Sequence, residues 1–131
     1  MQPIRTDKIE VSLFKKSIVK IEVFDGADLD EEDAMGMTKI VREMMGENTK
    51  YAILMDGTKP FNISDEARKW IASKHHTTNR IAAAFVITSL ANRLLGNFFI
   101  RFNKPHSPTK LFNNEDEALK WLEAEIKKAN L

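Results

Sequence analysis

Residues 51–65 read YAILMDGTKPFNISD, and the fold is decided there. Tyr51 to Met55 is an unbroken apolar run stopped by Asp56-Gly57, the pattern of a short strand covered on both faces. After a loop, Ser64 offers a hydroxyl to cap free backbone N–H groups. Asp65 and Glu66 behind it suit the positive end of a helix dipole. Strand, loop and helix form one βα unit, and the remaining segments are laid out on either side of it.

Upstream, Lys8 to Leu13 and Val19 to Val23 alternate apolar and polar residues. With Phe14-Lys15-Lys16-Ser17 between them, they predict an antiparallel hairpin. Asp25-Gly26 ends the second strand. Asp28 and Glu31 have capping-box spacing, and Asp30 to Asp33 fill a first helical turn with acid. Those consecutive carboxylates fan around a helix instead of converging on one ion, so no metal is expected there. Ala34, Met37, Val41, Met44 and Met45 line the helix's apolar face, and Gly46 is placed to close it.

Downstream of Ser64, Ala67, Trp70 and Ile71 mark the core face of a helix that frays near His75-His76. Residues 81–87, IAAAFVI, read as a second two-faced strand, with small Ala82 to Ala84 letting helices come close. Ser89 to about Phe102 reads as a third helix that Pro105 forbids from continuing past Lys104. Thr109 to Phe112 is a last strand. Asn114, with Glu117 three residues on, caps a final helix carrying the stripe Ala118, Trp121, Leu122 and Ile126. The order β-β-α-β-α-β-α-β-α predicts an α/β domain with a mostly parallel sheet and an antiparallel N-terminal edge hairpin.

At 131 residues the chain is read as a single domain, residues 1–131, long enough for a real core. It has no cysteine, which removes disulfides, thiolate metal sites and thiol nucleophiles. MQPIRTDKIE lacks the apolar stretch of a signal peptide, and no apolar run approaches the roughly 20 residues of a membrane span. A cytoplasmic location is the expectation. The net charge of +1 conceals an uneven layout. Residues 1–66 hold nine basic against fourteen acidic side chains, whereas residues 67–114 hold eight basic ones and no acid. Such asymmetry points to an anionic partner. Nucleic acid is disfavoured as that partner, because the isoelectric point is only about 8.0 and the aromatic residues mostly fall on core stripes.

YAILMDG with ISDEARKW, LLGNFFIRFNKPHSPTKLF and NNEDEALKWLEAE together resemble STAS/SpoIIAA-like domains. The chain looks most like their bacterial STAS-like/SEC14-like branch. The resemblance covers most of the chain and implies the SpoIIAA-like fold without a particular chemistry. In the anti-sigma factor antagonists of this group, a serine opening the helix after the central strand is phosphorylated and switches a protein partner. Ser64 occupies the matching point, although the Asp-Ser-x-Gly of those proteins is replaced here by Asn62-Ile63-Ser64-Asp65. Some relatives are implicated in holding hydrophobic ligands or touching membranes.

Ligands of open α/β sheets gather beyond the carboxyl ends of the parallel strands. That edge would present Asp56, Gly57, Thr88-Ser89 and Asn113-Asn114. Among the helix starts there, only the one at Ser89 is free of acid, which makes Ser89 and Arg93 candidates for an anion. The plainer alternative is an N-cap and a solvated arginine. The third helix sets Leu90, Leu94, Phe98 and Phe102 in one row and Ala91, Leu95 and Phe99 in the next. Arg93, Asn97, Arg101 and Lys104 make its polar side wholly basic or neutral. This suits a membrane, ligand or dimer contact, and it suits a helix that covers the sheet with a wide stripe. Gly96 is either a close-packing point or a hinge. Asp56 before Gly57 reads as a turn former, and His75-His76 lacks the spacing of helical metal pairs. No GxGxxG, Walker A or GxSxG motif occurs.

The expectation is therefore a non-enzymatic binding or regulatory domain without cofactor or metal. It would take an apolar or anionic ligand, or a membrane surface, through the basic third helix, with peripheral membrane attachment open. The alternative is a phospho-switchable protein-interaction module centred on Ser64. An anionic lipid, a hydrophobic small molecule, a protein partner and a second copy of the chain are all open as partners.

Overall fold

In a computed structural model, which describes residues 2–130, the Tyr51 strand sits in the middle of a six-stranded sheet. The elements in chain order are β1 (Ile4–Arg5), β2 (Ile9–Lys15), β3 (Ile18–Val23), β4 (Ala27–Leu29) and α1 (Glu31–Met45). Next come β5 (Tyr51–Asp56), β6 (Phe61–Ile63), α2 (Asp65–Ala72) and β7 (Arg80–Val86). Then follow α3 (Leu90–Phe98), a π-helical turn (Phe99–Asn103), β8 (Thr109–Phe112) and α4 (Glu115–Ala129). The sheet order is β1-β2-β3-β5-β7-β8. Its first three strands are antiparallel and the ladders from β3 to β8 are parallel. This is the mostly parallel sheet with an antiparallel N-terminal edge that the alternation predicts.

Three short strands go beyond the sequence reading. β1 extends the hairpin edge, and β4 pairs in parallel with β6 as a separate two-stranded ribbon. At two or three residues each, they are too short to display a period of two. The ribbon also moves the first helix cap. Leu29 is buried as the end of β4, so the helix opens at Asp30 instead of Asp28. The capping box is Asp30 with Asp33: each carboxylate accepts from the other's backbone N–H, at 2.8 and 3.0 Å. Ser64 and Asn114 cap α2 and α4 as their sequences imply, accepting from Ala67 N and Glu117 N. Gly46 closes α1 with φ +94°, a conformation that favours glycine.

Side chains alternate across the two central strands and build two unlike cores. Ala52, Leu54, Ala82, Ala84 and Val86 point to one face, where Ala118 and Leu122 of α4 lie on them. Alanines on β7 let α4 settle close, and Leu54 and Leu122 are fully buried. Ile53, Ala83, Phe85 and Ile87 point to the opposite face, under α1, α2 and α3. α3 is held near the sheet by Gly96, where a Cβ would fall 2.9 Å from Leu111 Cδ2 and 3.2 Å from Ile87 Cδ1. Gly96 is a close-packing point.

The two faces should respond differently to truncation. Leu54→Ala is expected to cost about 4 kcal/mol, whereas Ile53→Ala, on the hollow face described below, costs about 2 kcal/mol because void-lining atoms have fewer contacts to lose. Urea unfolding of both variants checks this, and equal losses would mean the faces are packed alike.

Candidate functional site

Between the sheet and helices α1 to α3 lies an apolar cavity of about 100 Å³. Ile53, Ala83 and Phe85 form its sheet wall, Met37 and Val41 face it from α1, and Leu95 and Phe99 face it from α3. Its position follows from the sequence. Alanine at position 83 leaves space on the central strand, and the π-helical turn beginning at Phe99 swings that ring inward until it lies 5.8 Å from the Phe85 ring. Among the described residues, no carboxylate lines the cavity.

Two guanidinium groups do. Arg68, on α2, is 9% exposed; its Nη1 donates to the Ile63 carbonyl at 2.6 Å and its Nη2 pairs with Asp65. Its guanidinium carbon stands 5.1 Å from the Phe98 ring centre, a cation–π contact. Arg80 opens β7 and is 7% exposed. Its Nε donates to Ser107 Oγ at 2.8 Å, and its Nη2 is buried without a hydrogen-bond partner. Burial pulls the pKa of Arg80 down to about 10, which leaves it charged at neutral pH.

The polar surroundings of Arg80 gather at the amino ends of the parallel strands. Tyr51 is its ladder partner on β5, and burial pushes the phenol pKa up. His106 Nε2–H donates to the Thr77 carbonyl at 2.6 Å. Burial first, then the charge of nearby Arg80, lowers the His106 pKa. Beyond Thr38, Tyr51 and Thr77, which line both spaces, the cavity adjoins a polar cleft of about 220 Å³ bordered by Arg42, Glu47, His75 and His76. His76 stacks on Trp70 with ring centres 3.3 Å apart.

The residues singled out from the sequence lie mostly at the other, carboxyl edge of the sheet. Asp56 Oδ1 accepts from the backbone N–H and hydroxyl of Thr58, at 3.1 and 2.7 Å, and so forms a turn. Gly57 is buried, with a Cβ there meeting Phe61 at 3.1 Å. Ser89 Oγ accepts from Asn92 N, and Asn92 Nδ2 donates to the carbonyls of Gly57 and Lys59. Gly57 and Ser89 are thus joined through buried Asn92. Arg93 Nη2 donates to Asn113 Oδ1 at 2.6 Å. Asn97 and Arg101 are exposed farther along, and Lys104 ends the π-helical turn with φ +50°. Ser64 is half-buried, with its hydroxyl accepting from Ala67 N.

Helix α3 is apolar on two sides. Leu95 and Phe99 face the core, while Leu90, Leu94, Phe98 and Phe102 form an outer row that is 72, 61, 42 and 64% exposed. Ile100 is half-buried against the core. Arg80 lies just before the strand that the apolar run 81–87 marks in the sequence, and the structure buries it. The strand begins on Arg80 instead of Ile81.

A family model described as a domain of unknown function (DUF7793) matches residues 12–125. No curated protein matches the chain. Among solved structures, it is similar to an uncharacterized protein of the DUF3478 family with a SpoIIAA-like fold from Shewanella loihica PV-4. The two share 18% sequence identity with a TM-score of 0.61, over 87% of this chain and 91% of that one. At that identity the likeness establishes the SpoIIAA-like fold. No helix among the described residues is long and apolar enough to cross a membrane.

The lowered pKa of His106 sets a pH dependence. The unfolded chain binds this proton more tightly than the folded one, so stability is full above about pH 6.5 and declines as the pH falls below it. Urea midpoints measured from about pH 7.5 down to about pH 5 should fall, and His106→Gln should flatten part of the decline. An unchanged slope in that variant would place the effect elsewhere.

Proposed function

The chain belongs to the DUF7793 family, a domain of unknown function, and from its interior we propose a non-enzymatic binding domain for a small, largely apolar ligand. The observation that carries this is the acid-free cavity under α3. Apolar side chains that line unfilled space lack packing partners there, a loss that a larger side chain at residue 83 would offset. An occupant with apolar surface recovers that loss through contacts with Ile53, Ala83 and Phe99. The chemistry of the polar edges favours binding over catalysis: Asp56 is spent on its own turn and Ser89 on a helix cap.

A second role is favoured by one specific observation, the outer row of α3. Leu94, Phe98 and Phe102 form a continuous exposed apolar strip beside exposed Arg101, in a stretch of chain without acid. This combination supports contact with an anionic membrane surface. The same helix would then present one face to the lipid and the other to the ligand.

Two measurements test these readings. Ala83→Leu is expected to keep or raise thermal stability and to abolish the heat of binding of hexanol that the natural chain gives in calorimetric titration. Retention of that heat would place the binding elsewhere. For the surface, Phe98→Asp/Phe102→Asp should lose co-sedimentation with anionic vesicles. Equal recovery of the natural chain on neutral vesicles would remove the electrostatic part of the account.

A further inference from the structure

We propose that the ligand is a small amphipathic monocarboxylate, its aliphatic body lying against Ile53, Ala83 and Phe99 and its carboxylate resting on Nη2 of Arg80. The inference builds on the cavity being a ligand site and adds the identity of the ligand's polar end. A guanidinium nine-tenths buried normally has a carboxylate beside it, since an unpaired charge in an apolar interior is strongly disfavoured. Arg80 has only the neutral Ser107 hydroxyl, and it takes part in none of the ion pairs among the described residues. Its orphaned nitrogen belongs to a side chain that lines the cavity. The structure therefore contains a buried cation, an adjoining apolar space and, among the described residues, no protein anion to join them.

The rest of the site narrows the class. A carboxylate brings a single charge, matching the one cavity-lining cation that has no ion pair among the described residues. A phosphate monoester would bring about two charges at neutral pH. The other lining cation, Arg68, also has a buried nitrogen without a partner, its Nε, but its charge is met by Asp65 and its Nη1 donates to the Ile63 carbonyl. Tyr51 stands next to Arg80 in the ladder and contributes a neutral phenol to the same end. The size of the space sets the tail. An engineered cavity of about 150 Å³ accommodates the six carbons of benzene, so a space of about 100 Å³ takes about four carbons at the end of a short aliphatic chain and leaves its carboxyl end beyond them, at Arg80. The polar cleft shares Tyr51 and Thr77 with the cavity, at the strand ends where Tyr51 pairs with Arg80.

Calorimetric titration of the full chain at neutral pH with hexanoate, hexanol and hexyl phosphate separates the possibilities. Hexanoate is expected to bind about tenfold or more tighter than hexanol, the effect of one charged hydrogen bond. Arg80→Met should erase that preference while still binding hexanol, and Arg80→Lys should restore part of it. Equal binding of hexanoate and hexanol by the natural chain would overturn the carboxylate anchor and leave the cavity reading intact. Tighter binding of hexyl phosphate than of hexanoate would overturn the monocarboxylate class. Failure of all three to bind would overturn both readings. Should Arg80→Met not fold, the contrast among the three probes in the natural chain decides alone.

Discussion

The two-residue period of β5 and β7 governs this molecule. Because neighbouring side chains on a strand point to opposite faces, one register assigns Ala52, Leu54, Ala82, Ala84 and Val86 to α4. The same register assigns Ile53, Ala83, Phe85 and Ile87 to the helices opposite. On the α4 face, alanines meet a helix that descends until Leu54 and Leu122 are sealed. On the other face, three helices must share the area. Ala83 is too small to fill the space they leave, and the hollow remains. A slip of one residue would exchange the two sets and destroy both cores.

Charge is arranged around the same division. The acid-free stretch from Ala67 to Asn114 contains the whole of β7 and α3, so the cavity acquires arginines without carboxylates of its own. Arg68 draws its counter-ion from Asp65 at the start of its helix. Arg80, at the beginning of a buried strand, takes part in no ion pair among the described residues. Its Nε bond to Ser107 fixes the side chain against the segment leading into β8 and orients the group without neutralising it. That combination of rigid placement and unmet charge distinguishes the amino edge of the sheet from its carboxyl edge. At the carboxyl edge Asp56, Ser89 and Arg93 all have partners within the chain.

Much of the architecture was legible in the residues. The strand at Tyr51–Met55, which the structure extends to Asp56, the strand Thr109–Phe112 and the caps at Ser64 and Asn114 follow from apolar runs and side chains that bond nearby, both local properties. The Asp30 cap was missed because it depends on Leu29 being drawn into a ribbon with Ile63, a contact thirty-four residues away in sequence. The site was less legible for the same reason. Which row of α3 faces out cannot be read from a helix with two apolar rows. The sheet decides it by accepting Gly96, Leu95 and Phe99. Arg80 lies outside the apolar run 81–87, because burial of a strand's first side chain is set by the turn at Thr77 and the segment around Ser107 packing over it.

The most direct test is methyl NMR of the chain titrated with hexanoate. The account predicts shifts confined to methyl groups on the hollow face, those of Ile53, Ala83 and Leu95, with Leu54, Ala84 and Leu122 beneath α4 unmoved. Shifts restricted to Leu90 and Leu94 on the outer row, or no shifts at all, would contradict it.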